Sequence, residues 1–226
     1  MVPISMSSNL INNIIFDLDG TLIDSSTGIL ESLAYAFSIC SIEPIRPLSK
    51  DIIGPPLMET LSALSGISDK DLLEKLAEEF KSHYDTFGYE KTIVFPEVNE
   101  MLSGFLDSGV HMYIATNKRI LPAIQIINYL KWNEIFEGIY SLDSFSPSAS
   151  SKSEVLSKLV ESNKLLKDNV VYIGDREEDS LAAIANNIPF LMVSWGYDGA
   201  EENLIHKDKI NTPSDLYNQL LVNKLN

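Results

Sequence analysis

The stretch Asn13-Ile14-Ile15-Phe16-Asp17-Leu18-Asp19-Gly20-Thr21-Leu22 decides how this chain folds. Residues 13–17 set three apolar, β-favouring side chains in a row with no helical spacing, the pattern of a strand buried on both faces. The strand runs straight into two carboxylates separated by a single residue, then into a Gly-Thr pair suited to a turn. Open parallel sheets gather their ligands at the carboxyl ends of their strands, and an apolar strand ending in acid fits that edge.

Working outward, four further segments share this character: residues 111–116, 137–141, 169–174 and 189–194 are short, β-branched or aromatic, and bounded by polar or turn residues. Between them, apolar side chains fall at helical spacing over 98–108, 120–129, 153–161 and 179–185. Pro122 suits the first turn of the second of these. Alternating strands and helices predict an α/β fold, a Rossmann-like parallel sheet with helices on both faces. One interval breaks the alternation. Between residues 25 and 91 the pattern is helical only, over 28–40, 56–65 and 69–86, with Pro44, Pro47 and Gly66-Ile67-Ser68-Asp69 as punctuation. Ser68 or Asp69 would cap the third of these helices. A small helical unit is therefore expected to be inserted after the first strand. The Ser-rich run 144–151 reads as a loop.

Composition narrows the function classes. The 226 residues hold 32 acidic and 17 basic side chains, a formal charge of −15, which opposes binding of nucleic acid by phosphate neutralisation and opposes a polybasic membrane attachment. Hydrophobic residues make up 45% of the chain, enough for a core and too many for a disordered chain. Cys40 is the sole cysteine, so neither an intramolecular disulfide nor a cysteine zinc cage can form, which fits a reducing, cytoplasmic setting. No stretch has the length and apolarity of a membrane span, and the N-terminus does not read as a signal peptide.

The strand ends show where chemistry would sit. The first ends at Asp17 and Asp19, the second at Thr116-Asn117-Lys118, and that at 169–174 runs into Asp175 with Asp179 one helical turn on; Lys152 opens the helix between. Clustered carboxylates repel one another and call for a cation, and an all-oxygen ligand set selects magnesium over zinc. Thr116 and the Asn117 amide can hydrogen-bond phosphate oxygens, and a lysine ammonium can neutralise the remaining charge.

Taken in order, Asp17-Leu18-Asp19-Gly20-Thr21-Leu22, Thr116-Asn117-Lys118 and Gly174-Asp175 with Asp179 resemble the haloacid dehalogenase superfamily, nearest its phosphoglycolate phosphatase-like branch. The resemblance spans residues 12–222 and is most specific over 15–24. It implies a catalytic core of residues 1–24 and 91–226 with a helical cap of residues 25–90. It further implies a magnesium-dependent phosphatase that hydrolyses a small phosphorylated metabolite, phosphoglycolate-like or nucleotide-like, through an aspartyl-phosphate. By that resemblance Asp17 is the nucleophile, and Asp19 protonates the leaving alkoxide and then activates water. Magnesium would be held by Asp17, by the Asp19 carbonyl and by Asp175, with Asp179 supporting from behind. Thr116, Asn117 and Lys152 would bind phosphate, Lys152 bridging it to Asp17. A monomer or homodimer without nucleic-acid or membrane partners is expected.

Two alternatives stand beside this reading: a phosphosugar mutase of the same superfamily, and a non-catalytic protein that binds a phosphorylated ligand. Gly20-Thr21 is closer to the phosphatases than to the mutases, which often carry Gly-Val there. The chain departs from its relatives at Lys152-Ser153-Glu154, where many have Lys-Pro, and Lys118 is the rival for the lysine role. Glu97 stands where relatives often have Gly, and Arg176 follows Asp175 where they usually have a small residue or Thr. Arg46, Lys50 and the loop Ile53-Gly54-Pro55-Pro56 are the cap candidates for substrate contact; Arg46 and Lys50 read equally well as surface charges. Asp24 and Ser25 read as caps of the first inserted helix, and Trp195-Gly196-Tyr197 as a loop flanking the site. His83, His111 and His206 are scattered and read as packed or solvated side chains.

Overall fold

The computed structural model describes residues 11–197 and 209–221. His206 lies outside them. The chain runs β1 (Asn13–Phe16), β2 (Ile23–Asp24), α1 (Ser26–Cys40), α2 (Leu57–Ser65), α3 (Lys70–His83), β3 (Ile93–Val94), α4 (Val98–Asp107), β4 (His111–Thr116), α5 (Ile120–Tyr129), β5 (Gly138–Ser141), α6 (Lys152–Ser162), β6 (Val170–Gly174), α7 (Glu177–Asn186), β7 (Phe190–Met192) and α8 (Pro213–Leu221).

Five strands form one parallel sheet in the order β5-β4-β1-β6-β7. β1 is central, with Phe16 level with Ile114 of β4 and Ile173 of β6. This register brings the ends of three strands side by side. Alternation divides the side chains between two helical layers. Ile14, Phe16, Met112, Ile114, Val171 and Ile173 pack with α4, α5 and α8 on one face. Ile15, Tyr113, Ala115, Val170 and Tyr172 pack with α6 and α7 on the other. A strand enclosed on both sides must be apolar at every position, which explains the unbroken Ile-Ile-Phe of β1.

α1, α2 and α3 pack about an apolar cluster of their own that includes Leu33, Phe37, Leu61, Leu64, Leu76 and Phe80. Asp69 accepts a hydrogen bond from the Leu72 amide at 2.9 Å and so caps α3. The third inserted helix is shorter than its periodicity predicts. It ends at His83, and the chain continues through a wider turn over Tyr84–Gly88, with Tyr84 buried in the same cluster. Three of the described elements escaped the periodicity. The two-residue strands β2 and β3 pair antiparallel where the insertion leaves and rejoins the sheet, too short to show alternation. α8 follows the last core strand and buries Leu216 and Leu220 against the α4 side.

Candidate active site

Asp17 immediately follows β1, and its amide still donates to the Ile173 carbonyl at 2.8 Å, so the sheet itself holds the residue in place. Asp175 stands at the end of β6 and Asp179 in the first turn of α7. One carboxylate oxygen from each of Asp17, Asp175 and Asp179 lies within 4.8 Å of the others, and all three residues are buried. Lys152, at the start of α6, reaches in from the side: its Nζ is 2.9 Å from Asp17 and 2.5 Å from Asp179. Ser151 sets that start by accepting from the Glu154 amide.

Asp19 turns away from this group. Lys118 Nζ sits 3.0 Å from both of its oxygens, and the Ser25 hydroxyl donates to the same carboxylate. The two candidate lysines therefore serve different aspartates, Lys152 beside Asp17 and Lys118 beside Asp19. Thr116 is buried at the end of β4, its Oγ1 accepting from the Lys118 amide at 3.2 Å. The Asn117 side chain donates to the Gly54 carbonyl at 3.0 Å and to Glu178, tying the helical layer to the sheet.

Burial drives the Asp17 carboxyl well above its usual range; the Asp179 and Asp175 charges add to the rise and Lys152 opposes it. The Asp175 carboxyl is pushed up to about 6, by burial first and by Asp179 second. Lys152 also loses hydration, but the Asp17 and Asp179 charges outweigh that loss and keep it protonated. Three buried carboxylates thus share the Lys152 ammonium, and the charge left over suits a divalent cation with oxygen ligands. The residues fit a magnesium ion held by Asp17 and Asp175, with Asp179 at its side.

Asp179 is itself heavily restrained. It accepts from the Tyr172 hydroxyl at 2.8 Å and from the Arg176 amide at 3.1 Å. Asp175 accepts from Thr21 Oγ1 at 3.2 Å and from the Tyr197 amide at 2.8 Å. The glycines explain how the loops come so close. A Cβ on Gly196 would lie 2.3 Å from the Gly20 carbonyl and 2.4 Å from Asp175 Cβ. Trp195-Gly196-Tyr197 thus seals the edge of the site, as its place in the chain predicted. Tyr172 read only as a buried strand residue, and its hydroxyl contact carries no sequence signal.

The structure also decides the readings that the chain left open. Arg46 is exposed, and Lys50 pairs with Asp24 at 2.8 Å with most of its side chain in solvent; neither lines the cleft above Asp17, whereas Ile53, Gly54 and Pro55 do. Arg176 reaches across to the backbone carbonyls of Ile53 and Asp51. Ser25 holds the cap position of α1 but makes no capping bond and spends its hydroxyl on Asp19, while Asp24, one residue earlier, accepts from the Ser26 amide at 2.9 Å. His83 lies 2.9 Å from Ser32 Oγ and stacks on Tyr35, and His111 pairs with Glu137 at the surface.

The profile of the haloacid dehalogenase-like hydrolase family matches residues 14–193. The tyrosine-protein kinase PtkA of Mycobacterium tuberculosis is 32% identical over 189 residues, which cover 83% of this chain; the chain spans only 64% of that relative's length. A 5'-nucleotidase of Pseudomonas aeruginosa is 29% identical over 196 residues, covering 86% of this chain and 88% of its own. The structure of a haloacid dehalogenase-like family hydrolase from Streptococcus pneumoniae superposes with a TM-score of 0.78 at 29% identity, covering 91% of this chain and 96% of that one. Phosphoglycolate phosphatases of several bacteria match at lower identity.

Proposed function

Because the chain belongs to the haloacid dehalogenase-like hydrolase family, we propose that it is a magnesium-dependent phosphatase that hydrolyses a small phosphomonoester through an aspartyl-phosphate on Asp17. The observation that carries this reading is the meeting of Asp17, Asp175, Asp179 and Lys152 in one buried group, with a fourth carboxylate, Asp19, held beside it. In the proposed reaction the Asp17 carboxylate attacks phosphorus in line and the ester P–O bond breaks. Asp19 gives its proton to the departing oxygen, then takes one from the water that attacks the acyl phosphate, so inorganic phosphate leaves and Asp17 is restored. Lys118 and Ser25 fix the direction of Asp19. Thr116 and the Asn117 amide hold phosphoryl oxygens, and Lys152 bridges Asp17 and the phosphate. Bound by Asp17 and Asp175, with the Asp19 carbonyl as a further ligand, magnesium supplies positive charge that offsets the repulsion between carboxylate and phosphate.

In this reading residues 25–90 act as a cap on a core of residues 1–24 and 91–226. The cap excludes water from the phosphoryl transfer. Phosphate release from p-nitrophenyl phosphate and a panel of metabolites, with magnesium and with a chelator, tests the proposal. Release that depends on magnesium and vanishes in Asp17→Asn supports it. Release retained by Asp17→Asn rejects the nucleophile, and no release from any substrate leaves a phosphate-ligand binding protein. Turnover that needs a bisphosphorylated sugar and frees no phosphate marks a mutase. The likeness to PtkA suggests a second reading, phosphoryl transfer to a protein tyrosine, which labelled ATP with a tyrosine peptide would detect.

A further inference from the structure

A cleft opens above Asp17. Its floor is polar, with Asp17, Asp19, Thr116 and Asn117. Its roof is mostly hydrocarbon, with Ile29, Leu33, Ile52, Ile53, Leu57 and Phe80 from the inserted helices and the loop between them; Thr60 is the polar exception, and its hydroxyl donates to the Pro55 carbonyl. Tyr84 completes one wall, its ring stacked on Phe80 with centroids 5.4 Å apart and planes 8° apart.

Charge is distributed just as unevenly. Among the residues lining the cleft the cationic ones are Lys118 and Arg119, and each already faces a carboxylate. Lys118 sits on both oxygens of Asp19, and Arg119 forks onto Asp85 from α3's following turn. A carboxylate on the leaving-group side of a substrate would shed its water against isoleucine and phenylalanine and find both cations of the cleft already engaged, Lys118 by Asp19 and Arg119 by Asp85. Burying such a group without a new partner is costly. An uncharged leaving group with an apolar face loses nothing comparable and gains by leaving water.

We infer that the substrates are phosphomonoesters whose leaving group is uncharged and carries a flat or branched apolar portion, a class that holds aryl, arylalkyl and nucleoside phosphates and leaves out phosphoglycolate. This rests on the phosphatase reading and refines it. The ester P–O bond breaks as before, and the leaving group departs as a neutral alcohol with the proton from Asp19.

Benzyl phosphate and 2-phosphoglycolate make the comparison direct. Both release a primary alcohol, so intrinsic reactivity is similar, and they differ by a phenyl ring against a carboxylate. The full chain with magnesium is expected to show a kcat/KM at least tenfold higher for benzyl phosphate. Leu57 lines the cleft half-buried in the first turn of α2. Leu57→Arg is expected to lower kcat/KM for benzyl phosphate at least tenfold and to raise it for phosphoglycolate. Should that variant misfold by circular dichroism, the wild type still decides: benzyl alcohol is expected to inhibit p-nitrophenyl phosphate turnover competitively where equal glycolate does not. Phosphoglycolate turned over as well as benzyl phosphate, or glycolate inhibiting as well as benzyl alcohol, overturns the inference alone. Silence on all three phosphates overturns the phosphatase reading and the inference with it.

Discussion

Lys152 and Lys118 are both buried, both protonated and both bound to an aspartate, yet they occupy different places in the proposed chemistry. Lys152 touches Asp17 and Asp179, so Lys152→Ala leaves uncompensated charge around the proposed nucleophile. Lys118 touches Asp19, so Lys118→Ala frees the proposed proton donor to turn. We expect Lys152→Ala to depress kcat on any phosphomonoester by at least a hundredfold. Lys152→Ala should also move the acidic limb of the pH–rate profile to higher pH, because it removes the charge that opposes the rise at Asp17, whereas Lys118→Ala leaves that charge in place. Matching profiles in the two variants would contradict this division. Asp175 allows a thermodynamic test without turnover. Its carboxyl is pushed up to about 6 by burial, above the ordinary value near 3.9. The metal-free native state therefore holds a proton there that the unfolded chain has released. That contribution is fully present below about pH 4 and is lost as the pH rises through about 6. Relative to Asp175→Asn in a chelator, the wild type should lose on the order of 3 kcal/mol of stability across that window, measured by urea unfolding at each pH. Magnesium should restore more stability at pH 7.5 than at pH 5. An equal effect at the two pH values would remove Asp175 from the cation's ligands.

At the scale of elements, departures from the expected pattern show up as backbone geometry. Glu97 precedes α4 with φ at +64°, a conformation that costs an L side chain energy and glycine almost none. Relatives resembling this chain often have glycine there, and the φ value gives the reason. Glu97 also accepts from Ser214 Oγ at 2.7 Å, an exposed tie between α4 and the start of α8. Glu97→Gly removes that tie and relieves the strain; we expect a net gain of about 0.5 kcal/mol, seen as a small rise in Tm. α3 offers the opposite case. The Asp69 carboxylate on the Leu72 amide is a helix cap of the usual strength, and Asp69→Ala should cost about 1 kcal/mol in urea unfolding with no change in m. Asp69 was visible as a cap candidate in the chain, whereas Glu97 stood out only against the resemblance. The sign of φ at Glu97 was not visible, because only the path between β3 and α4 imposes it.

At the scale of the molecule, polar straps among the described residues close the helical layer over the sheet, among them Arg119 to Asp85, Gln125 to the Asp85 carbonyl, Arg176 to the carbonyls of Asp51 and Ile53, and Asn117 to the Gly54 carbonyl. They join at backbone carbonyls and at one ion pair, a construction suited to a lid that opens. Arg119→Ala removes one strap without touching Asp17 or its partners. We expect faster amide hydrogen exchange over residues 50–56 and 84–88 with the sheet unaffected, and a higher KM on any substrate the enclosed cleft holds. Unchanged exchange in those segments would show that the layers stay closed without the ion pair.

The alternation of apolar strands and helices, the helical insertion and the five acidic or hydroxyl residues at strand ends were legible in the chain itself. Each rests on local rules: what can be buried on two faces, what repeats every three or four residues, what must lie where a strand stops. Tertiary structure alone decided which lysine met which aspartate, that Arg46 and Lys50 stayed in solvent, that Ser25 and Tyr172 joined the site, and that the cleft is roofed mostly with hydrocarbon. Several of those outcomes depend on contacts between residues far apart in the chain, such as Lys118 with Asp19, 99 residues away, and Tyr197 with Ser25, 172 residues away, which the sheet order and the packing of α1–α3 set and no local pattern encodes.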